Sequence, residues 1–419
     1  MSMIDSLSDP AAWERFYEYK TSLVFPEAER KKLRSFIDDE AYLPVCAKIA
    51  RGERFALPEK SVISKLSTGK KRTVYTYPPA ENTVLKLLTH LLLRRYDGLF
   101  APGLYSFRPG RSAKDAVEYL LKTPFLPQKY AYKADISDYF NSIPIPRLLP
   151  ILKKAVDGDE ALYRFLEGLL TEPEVLENGS PKAERKGIMA GTPTAAFLAN
   201  LYLAELDALF YANGTPYCRY SDDVIILADS GEQSLKNAEL LRSYAAQAGL
   251  AINPKKECFS TPEEGFAFLG FALRNGEVDI APASVKKLKA KMRRKARALA
   301  RWARRQGVEG EKAAKAFIRI FNRKLFENPA KDELTWTYWF FPVITTPVSL
   351  NEIDRYAQDR LRALIAGTET KARFNVRYDA LKALGYKSLV HAYYDYSEDE
   401  RARRSRPHPP ARSSGLPRP

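Results

Sequence analysis

Cys218-Arg219-Tyr220-Ser221-Asp222-Asp223-Val224-Ile225-Ile226-Leu227 is the stretch on which the reading of this chain turns. It predicts two short strands joined by a tight turn, the second strand strongly apolar. Two adjacent carboxylates fall at the tip. Packing does not account for them. A Tyr-Ser-Asp-Asp turn between buried strands brings two anions beside a core, and paired acids held that way need a cation between them. An Asp-Asp pair alone is also what an ordinary polar hairpin tip looks like. The rest of the chain must therefore supply a third carboxylate, a grip for phosphate and a surface for nucleic acid.

Upstream, Ala131-Tyr132-Lys133-Ala134-Asp135-Ile136-Ser137-Asp138-Tyr139-Phe140-Asn141 predicts a buried strand ending in Asp135, then a tight turn. An acid closing a core strand is costly unless it is paired or bound to metal. The plainer alternative makes Asp138 a helix N-cap and leaves Asp135 exposed. Further upstream, Thr68-Gly69 predicts a turn and Val74, Tyr75 and Tyr77 a strand. This basic hairpin is either a solvated edge or a flap whose Lys70 and Arg72 hold a triphosphate. Pro109-Gly110 marks a loop flanked by Arg108 and Arg111, which suit a phosphate backbone, and Ser112 is placed to cap a helix from Ala113.

Composition narrows the partner. The chain has 419 residues, 45% of them hydrophobic, and a net charge of +16. That is enough for two or three packed units, and the charge points to a polyanion, nucleic acid first and an acidic membrane surface second. No run of about 18 apolar residues occurs, and Met1-Ser2-Met3-Ile4-Asp5 does not open like a signal peptide. Cys46, Cys218 and Cys258 are scattered without metal-ligand spacing, which favours a reducing cytoplasm and argues against a zinc module.

The remaining pattern is mostly helical. Helices are predicted over 13–50, 81–96, 151–170, from Thr194 to about Tyr211, and over 234–248. Glu177-Asn178-Gly179-Ser180-Pro181 predicts a loop. Phe266–Phe271 predicts a strand entering a hairpin closed near Asn275-Gly276. From Ser284 to about Arg305 runs a strongly basic helix containing Lys287, Lys291 and Arg294, whose one-sided charge would repel itself without a polyanion alongside. Helices follow near 312–325, 351–365 and 374–384. Trp336, Tyr338, Trp339 and Phe340 read as core, and the Arg/Pro/Ser-rich tail from Arg401 as disordered.

Asp135, Asp222 and Asp223 thus stand on two strand tips. Brought together, they repel unless hard divalent ions lie among them. Two Mg²⁺ ions roughly 3.5–4 Å apart would serve, one lowering the pKa of a primer 3′-hydroxyl and the other neutralising pyrophosphate. Phosphoryl transfer needs little beyond positioning and charge compensation.

These segments, in this order, resemble the reverse transcriptases of bacteria. Ser106-Phe107-Arg108-Pro109-Gly110-Arg111-Ser112 is similar to the template-contacting motif of group II intron enzymes. Asp135–Phe140 resembles the first catalytic motif, Tyr220-Ser221-Asp222-Asp223 the second, and Phe268-Leu269-Gly270 the primer grip. The likeness spans about 60–275. It implies an α+β right-hand polymerase that copies RNA, with a structured noncoding RNA as template, into DNA from dNTPs. Fingers would occupy 1–130 with part of 150–185. A palm with an antiparallel sheet would occupy 131–149 and 186–280, and a basic helical thumb 281–400, followed by a 401–419 tail.

It also implies roles for single residues. Asp135, Asp222, Asp223 and Ile136 would bind metal, and Lys256 would protonate pyrophosphate. Lys70, Arg72, Asp138, Tyr139, Phe140 and Gly191 would line the nucleotide, with the Phe140 ring excluding a ribose 2′-hydroxyl. Arg108, Arg111, Tyr220, Leu269, Gly270, Lys287, Lys291 and Arg294 would meet template and primer. Where intron and retron enzymes carry Pro-Gln-Gly and then Ser-Pro, this chain has Met189-Ala190-Gly191 and Ala195-Ala196. That departure resembles the unknown-group enzymes, which include antiphage defence proteins. The rival readings are a silent, maturase-like RNA-binding protein, and a polymerase that is template-independent, protein-primed or copies RNA into RNA.

Overall fold

The computed structural model describes residues 2–23, 25–64, 71–184, 187–326 and 335–404. Two compact units meet in sequence between Val278 and Asp279.

The first unit opens with three helices, Pro10–Ser22, Glu27–Asp38 and Leu43–Ala50, where the periodicity predicts one helical stretch. Pro26 and the left-handed Glu40 (φ 50°) supply the breaks. Strands β1 (Glu59–Ser64) and β2 (Lys71–Thr76) pair antiparallel from Glu59 opposite Thr76 to Ser64 opposite Lys71. The turn between them, with Lys70, lies outside the described residues. Of Leu85, Leu88, Leu92 and Leu93, which the spacing places on one face, the helix Pro79–Arg95 buries the first three completely and leaves Leu93 half-buried.

Strand β3 is Tyr130–Asp135. The predicted helix over 151–170 is two, Ile145–Ala155 and Glu160–Thr171. Gly158 (φ 84°) turns the chain, and Asp159 caps the second helix by accepting from the Leu162 amide. The predicted 177–181 loop is a hairpin instead. Strands β4 (Glu174–Glu177) and β5 (Ser180–Ala183) join through Asn178-Gly179, both at positive φ (54° and 79°), the backbone of a type I′ turn. Together these four strands form a sheet ordered β2-β1-β4-β5.

The long helix predicted to reach Tyr211 is bent by 43° between Ala195–Tyr202 and Ala204–Ala212. Strands β6 (Tyr217–Tyr220), β7 (Asp223–Ala228) and β8 (Cys258–Ser260) then complete an antiparallel sheet ordered β6-β7-β3-β8. Its two faces are sorted by the two-residue period of a strand. Tyr132, Ala134, Val224 and Ile226 join the main core, against Ala238 and Leu241 of the helix Gly231–Gln247. Ala131, Cys218, Ile225 and Leu227 form a second cluster with Ala116, Leu120 and Phe268. By parity, Asp135 and Asp223 belong to this second face.

The strand predicted over 266–271 is broken into β9 (Phe266–Phe268) and β10 (Phe271–Arg274) by Leu269 and Gly270, at φ 50° and 94°. Asn275-Gly276 makes the expected turn into β11 (Glu277–Ile280).

The second unit is helical. Its main helices are Pro282–Gln306, Gly310–Phe326, Val348–Ala366 and Leu389–Arg404. Leu288, Met292, Phe317 and Ile353 are among its buried residues. The buried Asp354 carboxylate accepts from Tyr386 and Ser388 hydroxyls and from the Leu389 and Val390 amides, tying the last helix to its neighbour. The aromatic patch is split: Phe340 is buried and Tyr338 exposed. Residues 405–419 lie outside the described residues. Among the described residues no single helix is long and apolar enough to cross a membrane.

Candidate active site

Strand register brings the acids together. β3 lies antiparallel to β7 with Asp135 directly opposite Asp223, and the Ile136 amide donates to the Asp222 carbonyl at 3.1 Å. Ser221 and Asp222 form the two-residue turn between β6 and β7, closed by Tyr220 opposite Asp223. Asp135 is 4% exposed, with Asp222 and Asp223 half-buried beside it. Burial raises the pKa of Asp222, and Asp135 adds to that rise against the lowering pull of Lys256. Burial likewise raises Asp223, with Asp222 and Asp135 adding and Lys133 opposing. Each effect has one cause: anions are crowded where water is scarce.

Lys256 answers part of this charge. Its ammonium donates to Asp135 Oδ2, and the Asn253 amide donates to the Asp135 carbonyl at 2.8 Å. Burial pulls Lys256 down, but its bond to Asp135 and the attraction of Asp222 and Asp223 outweigh that, so its pKa is raised. Among the described residues no three His, Cys, Asp or Glu side chains close on one point as a metal cluster. The donor set nonetheless fits a hard cation: oxygen ligands only, anionic, with two of the three carboxylates destabilised as anions by their surroundings.

A buried network holds the turn. Ser221 has φ 62°, a strained value for a residue with a side chain. Arg219, fully buried, reaches it with Nη1 on the Ser221 carbonyl at 3.3 Å. The rest of the guanidinium binds Asp207, also fully buried, through Nε at 2.8 Å and Nη2 at 2.5 Å, and the Asn200 carbonyl at 3.3 Å. Tyr217 adds its hydroxyl to Asp207 at 2.7 Å. The Asn200 side chain donates to the Ser106 carbonyl and accepts from the Ser106 hydroxyl. One network therefore joins the bent helix pair, the Ser106 loop and the acidic turn.

Among the residues expected to line a nucleotide, Phe140 is half-buried, edge-on to Phe107 with ring centroids 6.3 Å apart. Asp138 is exposed at the head of a short helix, in the left-handed conformation (φ 42°), without a side-chain capping bond. Gly191 (φ 104°) lies so close to β2 that a Cβ would stand 2.9 Å from the Tyr75 carbonyl, while the Tyr75 amide donates to the Ala190 carbonyl at 2.8 Å. Arg72 is exposed on β2.

A family model described as reverse transcriptase (RNA-dependent DNA polymerase) matches residues 58–273, just over half of the chain. The chain belongs to this family. Its α+β architecture is that of a right-hand polymerase. It is 27% identical to the retron Ec86 reverse transcriptase of Escherichia coli over 174 residues, 41% of this chain and 50% of that one. It is 28% identical to an uncharacterized 91 kDa protein in the cob intron of Schizosaccharomyces pombe over 150 residues, 36% of this chain and 18% of that one. The matched stretches thus cover half or less of these relatives. Among solved structures, telomerase from Candida albicans in complex with a telomeric RNA fragment aligns with a TM-score of 0.44 and 12% identity, covering 89% of this chain and 69% of that one.

Two expected contacts are corrected by burial. Arg108 does not offer its charge to a template. Its guanidinium is buried, with Nε and Nη2 on the Asp97 carboxylate at 2.7 and 2.9 Å and the remaining donors on the Ala101, Leu104 and Asp97 carbonyls. All five donors are used inside the loop. Arg111 bonds the Pro102 carbonyl through Nη1 at 2.7 Å and lies over the Tyr105 ring, leaving Nε and Nη2 without a partner among the described residues. Tyr139 turns its ring into the core, where its hydroxyl donates to the Ala199 carbonyl, so only its main chain can face a nucleotide.

Tyr220 packs half-buried against the second cluster, while Leu269 and Gly270 form the β9–β10 turn. In the second unit Lys287, Lys291 and Arg294 are exposed. Lys291 is lowered by partial burial and by Lys324, Arg294 and Lys287 around it.

Three positions carry weight that the sequence reading does not assign. Lys133 shares the face of Asp135 two residues on and opposes the rise of Asp223. Arg219 and Asp207 carry the turn. Their one signal is polarity in otherwise apolar segments.

Removing one partner of a buried ion pair costs about 3–5 kcal/mol. Arg219→Ala is therefore expected to lower the denaturation midpoint steeply in urea unfolding, while Arg72→Ala, on the exposed strand, leaves it within error. The raised acids set a pH dependence. Folded protein free of divalent ions binds more protons than unfolded protein, so stability falls as pH rises from the ordinary carboxylate range through the raised pKa values. Asp222→Asn removes part of that loss. In EDTA at pH 7.5 calorimetry should show it melting higher than the parent, about 2–4 °C for each kcal/mol regained, and the gap should close near pH 4.

Proposed function

We propose that this chain is an RNA-directed DNA polymerase that makes cDNA by two-metal phosphoryl transfer. The observation that carries the reading is the rung pairing Asp135 with Asp223, with Asp222 on the adjoining turn. Membership of the reverse transcriptase family and the likeness to a retron enzyme support it. Fingers are assigned to 1–130 with part of 150–185, palm to 131–149 and 186–280, and thumb to the basic helical region from 281.

Asp135, Asp222 and Asp223, with the main chain at Ile136, would hold two Mg²⁺ ions. Bound there, the ions would supply Lewis acidity for the primer hydroxyl and charge compensation for pyrophosphate. This chain's own residues do the rest. Lys256 Nζ, which donates to Asp135, is a proton donor for the leaving pyrophosphate. Arg72 binds the triphosphate through charge-assisted bonds. Phe140, its ring propped by Phe107, excludes a 2′-hydroxyl. Gly191 lets the chain run flush with β2 beside the nucleotide.

The template is a structured noncoding RNA and the setting bacterial antiphage defence in the cytoplasm. The motif departure at Met189-Ala190-Gly191 is what supports this finer assignment. The same departure favours a second reading, extension without a template, because Ala190 lacks the hydrogen bonds of the glutamine found in related enzymes. Sequencing the product separates the two.

The double variant Asp222→Ala with Asp223→Ala should lose dNTP incorporation in a primer-extension assay while retaining RNA binding. Persistent synthesis would refute the assignment. Phe140→Ala should incorporate ribonucleotides, read as alkali-labile product, whereas unchanged sugar discrimination would remove the gate.

A further inference from the structure

The helix Pro282–Gln306 has two basic flanks. Lys287, Lys291 and Arg294 lie on one. At roughly 100° per residue, Arg293, Arg297 and Arg304 fall within about 40° of one another on a second flank, and Arg301 lies between the two. This second flank opens on a cavity of about 590 Å³ between the helix and Val348–Ala366, bordered by the turns at Gly307 and Gly367 and open to solvent on one side. The floor is apolar: Ala296, Ala300, Ala303 and Leu364 present no polar side-chain atom.

Charge in the cavity is unbalanced. Five arginines line it, the fifth being Arg360, against a single acid, Glu369. Arg360 spends two nitrogens on Asp359 and Glu369, but its buried Nε has no hydrogen-bond partner among the described residues. Arg293, Arg297, Arg301 and Arg304 have no carboxylate partner among the described residues. Arginines that served only to keep a surface soluble would need no walled recess with an alanine floor.

We propose that this groove is a nucleotide-binding site. Phosphates lie along the guanidinium row, where planar forks match phosphate oxygens, and the base lies on the alanine floor. The cavity falls within the roughly 300–1,000 Å³ usual for small-ligand sites. The donors on its rim recur every ~5–6 Å, one helical turn. The occupant is either a free nucleoside triphosphate or an unpaired nucleotide of an RNA strand, and the two present the same chemistry to the site. The assignment does not depend on catalysis in the first unit, because a silent RNA-binding protein would have the groove too.

The test uses the full-length protein in EDTA, which removes metal-dependent nucleotide binding at the carboxylates. A fluorescent N-methylanthraniloyl-ATP and a fluorescein-labelled oligouridylate are titrated separately. Ala300→Trp fills the groove without changing charge and should weaken at least one probe about tenfold or more, while Ala298→Trp, on the exposed side of the same helix, should not. Arg297→Glu with Arg304→Glu, both exposed, should weaken the same probe far more than Lys295→Glu with Arg305→Glu, exposed on the same helix but outside the cavity. A loss for ATP alone assigns a free nucleotide, and a loss for RNA alone assigns a nucleotide within a strand. The proposal is overturned if the parent binds neither probe. It is equally overturned if the two glutamate pairs weaken binding alike and folded Ala300→Trp, checked by circular dichroism, binds as the parent does.

Discussion

Asp135 facing Asp223 across one rung of the β3–β7 ladder, with Asp222 on the turn beside them, is the arrangement on which the rest depends. Two unit charges 4 Å apart at an effective dielectric of 20 repel by about 4 kcal/mol. That is a large fraction of the 5–15 kcal/mol by which a typical domain is stable, so the rung is tolerable only with a counter-charge and a rigid frame. Lys256 supplies part of the first, from 121 residues along the chain. The frame is β7, paired on both sides, and Arg219, which holds the carbonyl of the strained Ser221 from within the core. Asp207 neutralises Arg219 in turn, so the acidic turn rests on a second buried charge pair.

This design explains how the Met189-Ala190-Gly191 segment can change its side chains and keep its place. It is held to β2 by main-chain contacts, the Tyr75 amide on the Ala190 carbonyl and Gly191 against the Tyr75 carbonyl, and further by the Ala190 amide on the Asn141 side chain. None of these uses the side chain of residue 190. The backbone fixes the position of the segment, and the residue 190 side chain takes no part in holding it.

What was legible in the sequence follows the same division between local and distant causes. The Asp-Asp hairpin, the Ser112 cap and the Asn275-Gly276 turn are set by neighbouring residues and stand where the pattern puts them. Asn178-Gly179 carried an equally clear turn signal, but the short polar strands around it hid the hairpin. The break at Leu269-Gly270 was masked because Leu269 adopts φ 50° against its preference. Side-chain direction was the least legible. Arg108 is expected at a phosphate backbone and Arg219 is assigned no role in the sequence, yet both are buried, each paired with a carboxylate, Asp97 or Asp207. Tyr139 is expected to line the nucleotide beside Phe140, but adjacent residues on a helix do not share a face, and the Tyr139 ring lies in the core.

The central claim is that the three acids form a cation cage held ready by Lys256. The most direct test is diffraction from crystals soaked with Mn²⁺ and a non-hydrolysable dNTP, recorded at the manganese edge. The account predicts two anomalous peaks roughly 3.5–4 Å apart among Asp135, Asp222 and Asp223, with the Lys256 ammonium moved off Asp135. A map with no manganese at these carboxylates, and Lys256 still seated on Asp135, would contradict it.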